Sequence, residues 1–298
     1  MKGQVFLLSW WNYTLELGRR THIMGVLNVT PDSFSDRGKY FQQDKAIEHG
    51  LSMAGEGADI IDVGGESTRP YSEKISDQQE LDRVIPVIRA LSKDLRIPIS
   101  IDTCKAEVAR QALKAGASII NDISAFRFDP EMISVAGEAG VPVIIMHMQG
   151  TPKDMQANPT YENLIPEILD FLKGAINRAV AGGIRKDMII VDPGIGFGKT
   201  FDHNLQIIRE LAEFNALERP ILLGPSNKAF IGHILHKEPH ERDTGSMAAV
   251  AASVLNGAHI VRVHNVKKTV ETVRMIDAIR RGSVEEVTCP PMPHSTGC

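Results

Sequence analysis

A single (β/α)8 TIM barrel is the fold this sequence predicts, and three observations predict it. Brief apolar segments recur about eight times, amphipathic helical runs separate them, and no long linker or low-complexity tract intervenes. The 298 residues suffice for one large core or two smaller domains, and eight repeats in that length suit a closed barrel better than a doubly wound sheet. The expected organisation is a barrel domain over residues 1–282, opening with a short hairpin at 1–20, and a flexible tail at 283–298.

The hairpin rests on Phe6, Leu8, Trp10, Tyr13, Leu15 and Leu17, which partly alternate with other residues. Barrel strands are then expected at 23–29, 60–63, 97–101, 119–121, 143–146, 188–191, 220–223 and 259–263. Helices at 46–56, 108–115 and 133–139 each run into a glycine, Gly57, Gly116 and Gly140, placed where a left-handed cap ends a helix. After Gly282 the chain ends Cys-Pro-Pro-Met-Pro-His-Ser-Thr-Gly-Cys, a composition expected to be disordered.

Charge and composition narrow the function. A formal net charge of −4 and a pI near 6.2 give no general affinity for nucleic acid or an anionic membrane. No segment has the length to span a bilayer, and the first apolar run is too brief for a signal peptide, so a cytoplasmic protein is expected. Cys104, Cys289 and Cys298 are odd in number and lack a Cys-x-x-Cys spacing, which argues against a disulfide framework or a zinc site.

In a barrel of this kind chemistry collects at the C-terminal ends of the strands, and polar residues stand at each of those places. In strand order they are Asn28; Asp62 with Glu66, Thr68 and Arg69; Asp102; Asn121 and Asp122; Met146 and His147; Asp192; Ser226, Asn227 and Lys228; and Arg262 with His264. Asp102, Asn121 and Asp192 offer hydrogen-bond acceptors for the edge of a flat, N–H-rich heterocycle, and buried carboxylates need such a partner. Met146 and Phe197 can sandwich the ring or simply pack in the core. Arg262 and His264 can grip phosphate oxygens, and Asn28 can share a magnesium ion.

Other chemistries fit less well. Gly194-x-Gly196-x-Gly198 has neither the dinucleotide nor the Walker A spacing. No His-Glu-x-x-His helix is present, and Ser67 and Ser226 lack a nucleophile-elbow context.

The segments Met24-Gly25-Val26-Leu27-Asn28-Val29-Thr30-Pro31-Asp32-Ser33-Phe34-Ser35-Asp36 and Asp62-Val63-Gly64-Gly65-Glu66-Ser67-Thr68-Arg69-Pro70 resemble the two signatures of the dihydropteroate synthase family. Ser100-Ile101-Asp102-Thr103, Ile120-Asn121-Asp122-Ile123-Ser124, Met146-His147-Met148-Gln149-Gly150-Thr151-Pro152, the Asp192 to Lys199 stretch and Arg262-Val263-His264 continue the match in the family's order, over residues 21–279 or so. The resemblance implies a pterin-binding TIM barrel that condenses 6-hydroxymethyl-7,8-dihydropterin pyrophosphate with p-aminobenzoate by an SN1-like displacement. Products are dihydropteroate and pyrophosphate, the cofactor is Mg2+, and the assembly is a homodimer. By the same resemblance Asp102, Asn121, Asp192 and Lys228 bind the pterin, Met146 and Phe197 pack on it, and Asn28, Arg262 and His264 hold the pyrophosphate, with Asn28 on the metal. Phe34, Asp36, Thr68, Arg69, Pro70 and Ser226 belong to the acceptor side, and Asp36, Arg69 and Lys228 take the catalytic roles.

Departures from the family pattern, all but Asn265, fall on that acceptor side. Asn227 and Ala229 stand where the family has Arg and often Ser, Tyr71 where a Gly is common, and Asn265 where Asp usually follows Arg-Val-His. Two other readings keep the barrel: a pterin-binding paralogue without turnover, and a methyltetrahydrofolate-dependent corrinoid methyltransferase, against which the 30–36 and 68–70 loops count. Replacing Asp102 or Arg262 by alanine is expected nearly to abolish turnover and leave the fold intact.

Overall fold

The computed structural model describes residues 4–30, 38–67 and 72–284, the side chains of 38–42 excepted. The hairpin pairs β1 (Phe6–Trp10) with β2 (Tyr13–Leu17), and its alternation buries Leu8, Trp10, Leu15 and Leu17 on one face. Trp11 takes a left-handed φ of 46° at the turn, and its Nε1 donates to the Ala139 carbonyl at 3.1 Å. Phe6 meets the His259 ring edge-on at 5.2 Å, which fastens the hairpin beneath the barrel.

Eight parallel strands follow: β3 (His22–Asn28), β4 (Ile60–Gly64), β5 (Ile99–Asp102), β6 (Ile119–Asp122), β7 (Val143–Met146), β8 (Ile189–Asp192), β9 (Leu222–Leu223) and β10 (Ile260–Val263). Their order is β8-β7-β6-β5-β4-β3-β10-β9, and a parallel bridge between Val191 and Ile221 joins the two ends into a ring. Every residue of β4, β6, β7 and β8 is buried, as strands covered on both faces should be, which is why they read as apolar runs rather than alternations.

The differences from the expected strands have local causes. Pro98 delays β5 to Ile99, and Pro220, which has no N–H to donate, leaves only Leu222 and Leu223 in β9. The first barrel helix is longer than its periodicity indicates, since α1 runs Gly38–Gly55.

The outer ring continues with α2 (Asp77–Asp94), α3 (Ala106–Ala115), α4 (Met132–Ala139), α5 (Leu164–Ala181), α6 (Phe201–Arg209), α7 (Ala229–Leu235), α8 (Asp243–Leu255) and α9 (Val266–Arg281). Gly116 and Gly140 cap α3 and α4 in the left-handed conformation, as their positions predict. Ser76 and Gln79 form a capping box at the start of α2. Pro86 lies inside that helix and cannot donate to Asp82, whose carbonyl instead accepts from Gln43 Nε2 at 3.3 Å. Among the described residues no helix is long and apolar enough to cross a membrane. Apart from Ser283 and Val284, the tail expected at 283–298 lies outside the described residues.

Candidate active site

Parallel strands end together at one rim of the ring, so residues far apart in sequence converge there. Arg262, on β10, forms the centre. Its Nε donates to Asp62 Oδ2 at 2.6 Å, and its Nη2 donates to Asp102 Oδ2 at 2.6 Å. Asn121 Nδ2 also donates to Asp62 Oδ2, at 3.1 Å, while Asp62 Oδ1 is buried and unpartnered. Two carboxylates thus share one guanidinium, leaving surplus negative charge. Burial pushes Asp102 up to about 7 against the pull of Arg262. Burial disfavours the Arg262 cation as well, but Asp62 and Asp102 outweigh that and raise it above its ordinary value.

Opposite this cluster Asp192 ends β8, accepting the Gly194 N–H at 2.7 Å. Burial pushes its carboxyl to about 6, with the Gly194 hydrogen bond and the cations of Lys228, Lys199 and Arg262 opposing. Lys228, just ahead of α7, is lowered to about 8 by burial and by Arg262, and its Nζ lies 4.5 Å from the centre of the Phe197 ring. Phe197 packs with Met146, Ile123, Met148 and Met155 into a small apolar cluster separate from the main core. The arrangement offers acidic acceptors and a cation around a flat apolar wall, a receptacle for a planar ring bearing N–H and carbonyl groups.

Asn28 closes β3 with its Oδ1 near Gly64 and Asp102, since a Cβ built on Gly64 would lie 3.7 Å from Asn28 Oδ1 and 3.6 Å from Asp102 Oδ2. His264 is exposed beyond β10, and its Nδ1 meets the Ser226 hydroxyl at 3.1 Å while Ser226 Oγ accepts the His264 N–H at 3.3 Å. The serine therefore holds the histidine, a task its sequence position did not disclose.

The structure brings together Asn28, Asp102, Asn121, Met146, Asp192, Phe197, Ser226, Lys228, Arg262 and His264 at the strand ends. Phe34, Asp36, Thr68, Arg69 and Pro70, and with them Tyr71, lie outside the described residues.

Two polar strand ends turn away from the rim. Asp122 accepts the N–H groups of Ser124 and Phe126, both at 2.8 Å, and shapes its own loop. His147 is buried against Lys199. Sequence reading left two participants without a role: Asp62, visible as a strand-end carboxylate, and Lys199, whose burial no local pattern signals.

Two departures from the family pattern have local reasons. Asn227 sits at φ 58°, a left-handed conformation that Asn adopts more readily than most side chains. Asn265 caps α9 by accepting the Lys268 N–H, and its Nδ2 donates to Asp243 Oδ2 at 3.0 Å, where an aspartate would oppose a second carboxylate. Ala229 opens α7.

Among the described residues no group of three or more His, Cys, Asp or Glu side chains is placed to hold a metal. Asn28 Oδ1 and Asp102 Oδ2 are oxygen donors of the type that Mg2+ takes, so the residues present fit that ion.

The profile of the family described as "Pterin binding enzyme" matches residues 24–264. The dihydropteroate synthase of Synechocystis sp. is 47% identical over 265 residues, covering 89% of this chain and 92% of the relative. That of Escherichia coli is 46% identical over 257 residues, covering 86% and 91%. Among solved structures, the Yersinia pestis dihydropteroate synthase in complex with a sulfonamide drug superposes with a TM-score of 0.88 at 44% identity, covering 93% of this chain and all of that one. The Xanthomonas albilineans dihydropteroate synthase with 4-aminobenzoic acid gives 0.85 at 41% identity, covering 90% and 95%.

Proposed function

Because this chain belongs to the pterin binding enzyme family and is 46–47% identical to dihydropteroate synthases over most of its length, we propose that it catalyses their reaction in folate biosynthesis. It is a transferase that joins the methylene carbon of 6-hydroxymethyl-7,8-dihydropterin pyrophosphate to the amine of p-aminobenzoate and releases pyrophosphate.

The observation that carries this reading is the pairing of an acidic row, the buried Asp62 and Asp192 with the nearly buried Asp102, with the Phe197 and Met146 wall. Asp102, Asn121 and Asp192 accept and donate along the polar edge of the pterin, and Lys228 meets its carbonyl side. As the C–O bond to pyrophosphate breaks, the methylene gains positive charge and the leaving group negative charge. Acceptors on the ring stabilise the first, and the Arg262 guanidinium and His264 stabilise the second. The aromatic amine then attacks, for which position and exclusion of water matter more than a base. Asp36 and Arg69, with Phe34, Thr68, Pro70 and Ser226, form the acceptor side in this proposal.

Incubation with the pterin pyrophosphate, magnesium and p-aminobenzoate should give equal amounts of pyrophosphate and dihydropteroate. Pterin binding with no product would sink the proposal.

Magnesium belongs to the same proposal: Asn28 would hold it, and it would supply charge neutralisation to the leaving group. Replacing Asn28 by alanine should raise the magnesium concentration for half-maximal rate about tenfold, roughly 1.4 kcal/mol, with affinity for the free pterin ring unchanged. Identical magnesium titrations for variant and wild type would remove Asn28 from this role.

We also propose a homodimer. Phe201 and Leu205 of α6, Ile234 and Leu235 of α7 and Leu255 of α8 are exposed on three helices that pack against one another, an apolar surface suited to a second copy. Sedimentation at twice the mass of one chain is expected, and a monomer at micromolar concentration would contradict it.

A further inference from the structure

Lys199 is 1% exposed and is among the largest fully buried side chains of the described residues. Its ammonium donates to the Phe197 carbonyl at 3.0 Å, to His147 Nδ1 at 2.9 Å and, more weakly, to the His147 carbonyl at 3.4 Å. Asp192 acts on it through space and not by a hydrogen bond, so a cation is buried against backbone carbonyls and a neutral imidazole. Burial holds Lys199 down to about 7, with Asp192 opposing and Lys228 adding to the shift, and the same burial keeps His147 far below its ordinary value and hence uncharged. An arrangement this costly to bury calls for a geometric return.

The return lies in what the ammonium connects. His147 follows Met146 at the end of β7, and Phe197 sits on the glycine-rich loop after β8. Gly194 and Gly198 in that loop have φ of 79° and 63°, and a Cβ on either would come within 2.0 Å of the His147 carbonyl oxygen or 2.6 Å of the Gln149 carbonyl oxygen. Only glycine lets the loop press this closely on the strand end. Other backbone groups of the loop are held by side chains: Gly196 N–H donates to Asn204 Oδ1, Gly196 C=O accepts from Gln156 Nε2, and Gly198 C=O accepts from Tyr161 Oη, each at 2.7 Å. The loop is thus held on both sides of Phe197, and Lys199 supplies the latch at Phe197 itself.

We propose that Lys199 is a positioning residue for pterin recognition, its ammonium clamping the Phe197 loop to the end of β7 and so setting the Phe197 and Met146 wall against which the flat ring packs. This rests on the pterin reading above. The clamp joins the ends of β7 and β8, whereas Asn28 ends β3 and His264 follows β10, so its loss acts on the ring rather than on the diphosphate or the aromatic amine.

The test compares wild type with Lys199→Met, which keeps the length of the side chain and removes its donors. Affinity for 6-hydroxymethylpterin, without diphosphate, is read by quenching of pterin fluorescence, alongside the KM of each substrate. Expected is a tenfold or greater loss of pterin affinity and a matching rise in the KM for the pterin pyrophosphate, with the KM for p-aminobenzoate within twofold of wild type. Should Lys199→Met not fold, Tyr161→Phe decides, because it removes only the hydroxyl on Gly198. A threefold loss confined to the pterin is expected there, and unchanged affinity overturns the role. A folded Lys199→Met with wild-type pterin affinity, or with both KM values raised equally, overturns it too. Failure of the wild type itself to bind the pterin would instead overturn the pterin reading, and this role with it.

Discussion

Replacing Arg262 by methionine is expected to lower turnover by two to three orders of magnitude and, at the same time, to destabilise the fold. The catalytic loss follows from removing a fixed cation where the leaving diphosphate gathers charge, which typically costs about 3–4 kcal/mol of barrier. The destabilisation follows from the partners left behind. Asp62 is 0% exposed and Asp102 nearly buried, and both rely on the one guanidinium at 2.6 Å. Breaking a buried pair from one side costs about 3–5 kcal/mol, so thermal denaturation should shift down by about 10 °C for a chain of this size.

The expectation from sequence, that removal of Arg262 spares the fold, treats the arginine as a ligand for substrate alone. It is also the counter-ion of the site. Adding Asp102→Asn to the methionine variant removes one stranded charge and should recover part of the lost thermal stability while turnover stays low. A singly substituted protein with wild-type melting and wild-type turnover would refute both roles.

The second large effect runs in opposite directions for stability and activity. Asp192→Asn should abolish most turnover yet stabilise the protein above neutral pH. Burial raises this carboxyl from 3.8 to about 6, roughly two units, so keeping it ionised in the fold costs up to about 3 kcal/mol. The sign follows from a folded value lying above the unfolded one. The carboxyl's contribution to stability is fully present below about 3.8 and is lost as pH rises through about 6. An asparagine, which does not ionise, keeps the Gly194 N–H bonded at Oδ1 and escapes that loss.

Lys199 and Lys228 lose an anionic neighbour in the exchange, so the measured gain should fall short of the full figure. Melting curves at pH 8 and pH 4.5 should show the variant several degrees above wild type at the higher pH and about a third as far above it at the lower. Pterin affinity should fall by about a hundredfold at pH 8, because a donor amide replaces an acceptor facing the ring N–H groups. Equal melting shifts at both pH values would mean that burial of the charge is not the cause. Sites that hold charge ready for a ligand are commonly less stable than their neutral variants, and this pair of predictions states the trade for one residue.

Much of the site was legible because a barrel places the last residue of every strand at one rim. Strand periodicity therefore predicted that Asp102, Asn121, Asp192 and Arg262 share a mouth although up to 160 residues separate two that touch. The boundaries were less legible where proline intervened, at Pro98 and Pro220, since a missing N–H shortens a strand without altering its apolar pattern. Residues that act through other protein groups were the hardest to see. Ser226 holds His264, Asp122 shapes the loop after β6, and Lys199 clamps the loop after β8, three polar residues whose types alone suit substrate binding equally well.

The sequence by itself determined the order of elements, the glycine caps at Gly116 and Gly140, and the chemical types presented at each strand end. Those features depend on local conformational preference and on a period that neighbouring residues set. Only the tertiary structure decided who neutralises whom: Asp62 and Asp102 on one guanidinium, Asp192 facing the cations of Lys228 and Lys199, and an ammonium beneath Phe197 with only carbonyls and an imidazole to receive it. Charge pairing falls off with distance in space and takes no account of distance along the chain, so it becomes definite only when the ring of strands closes.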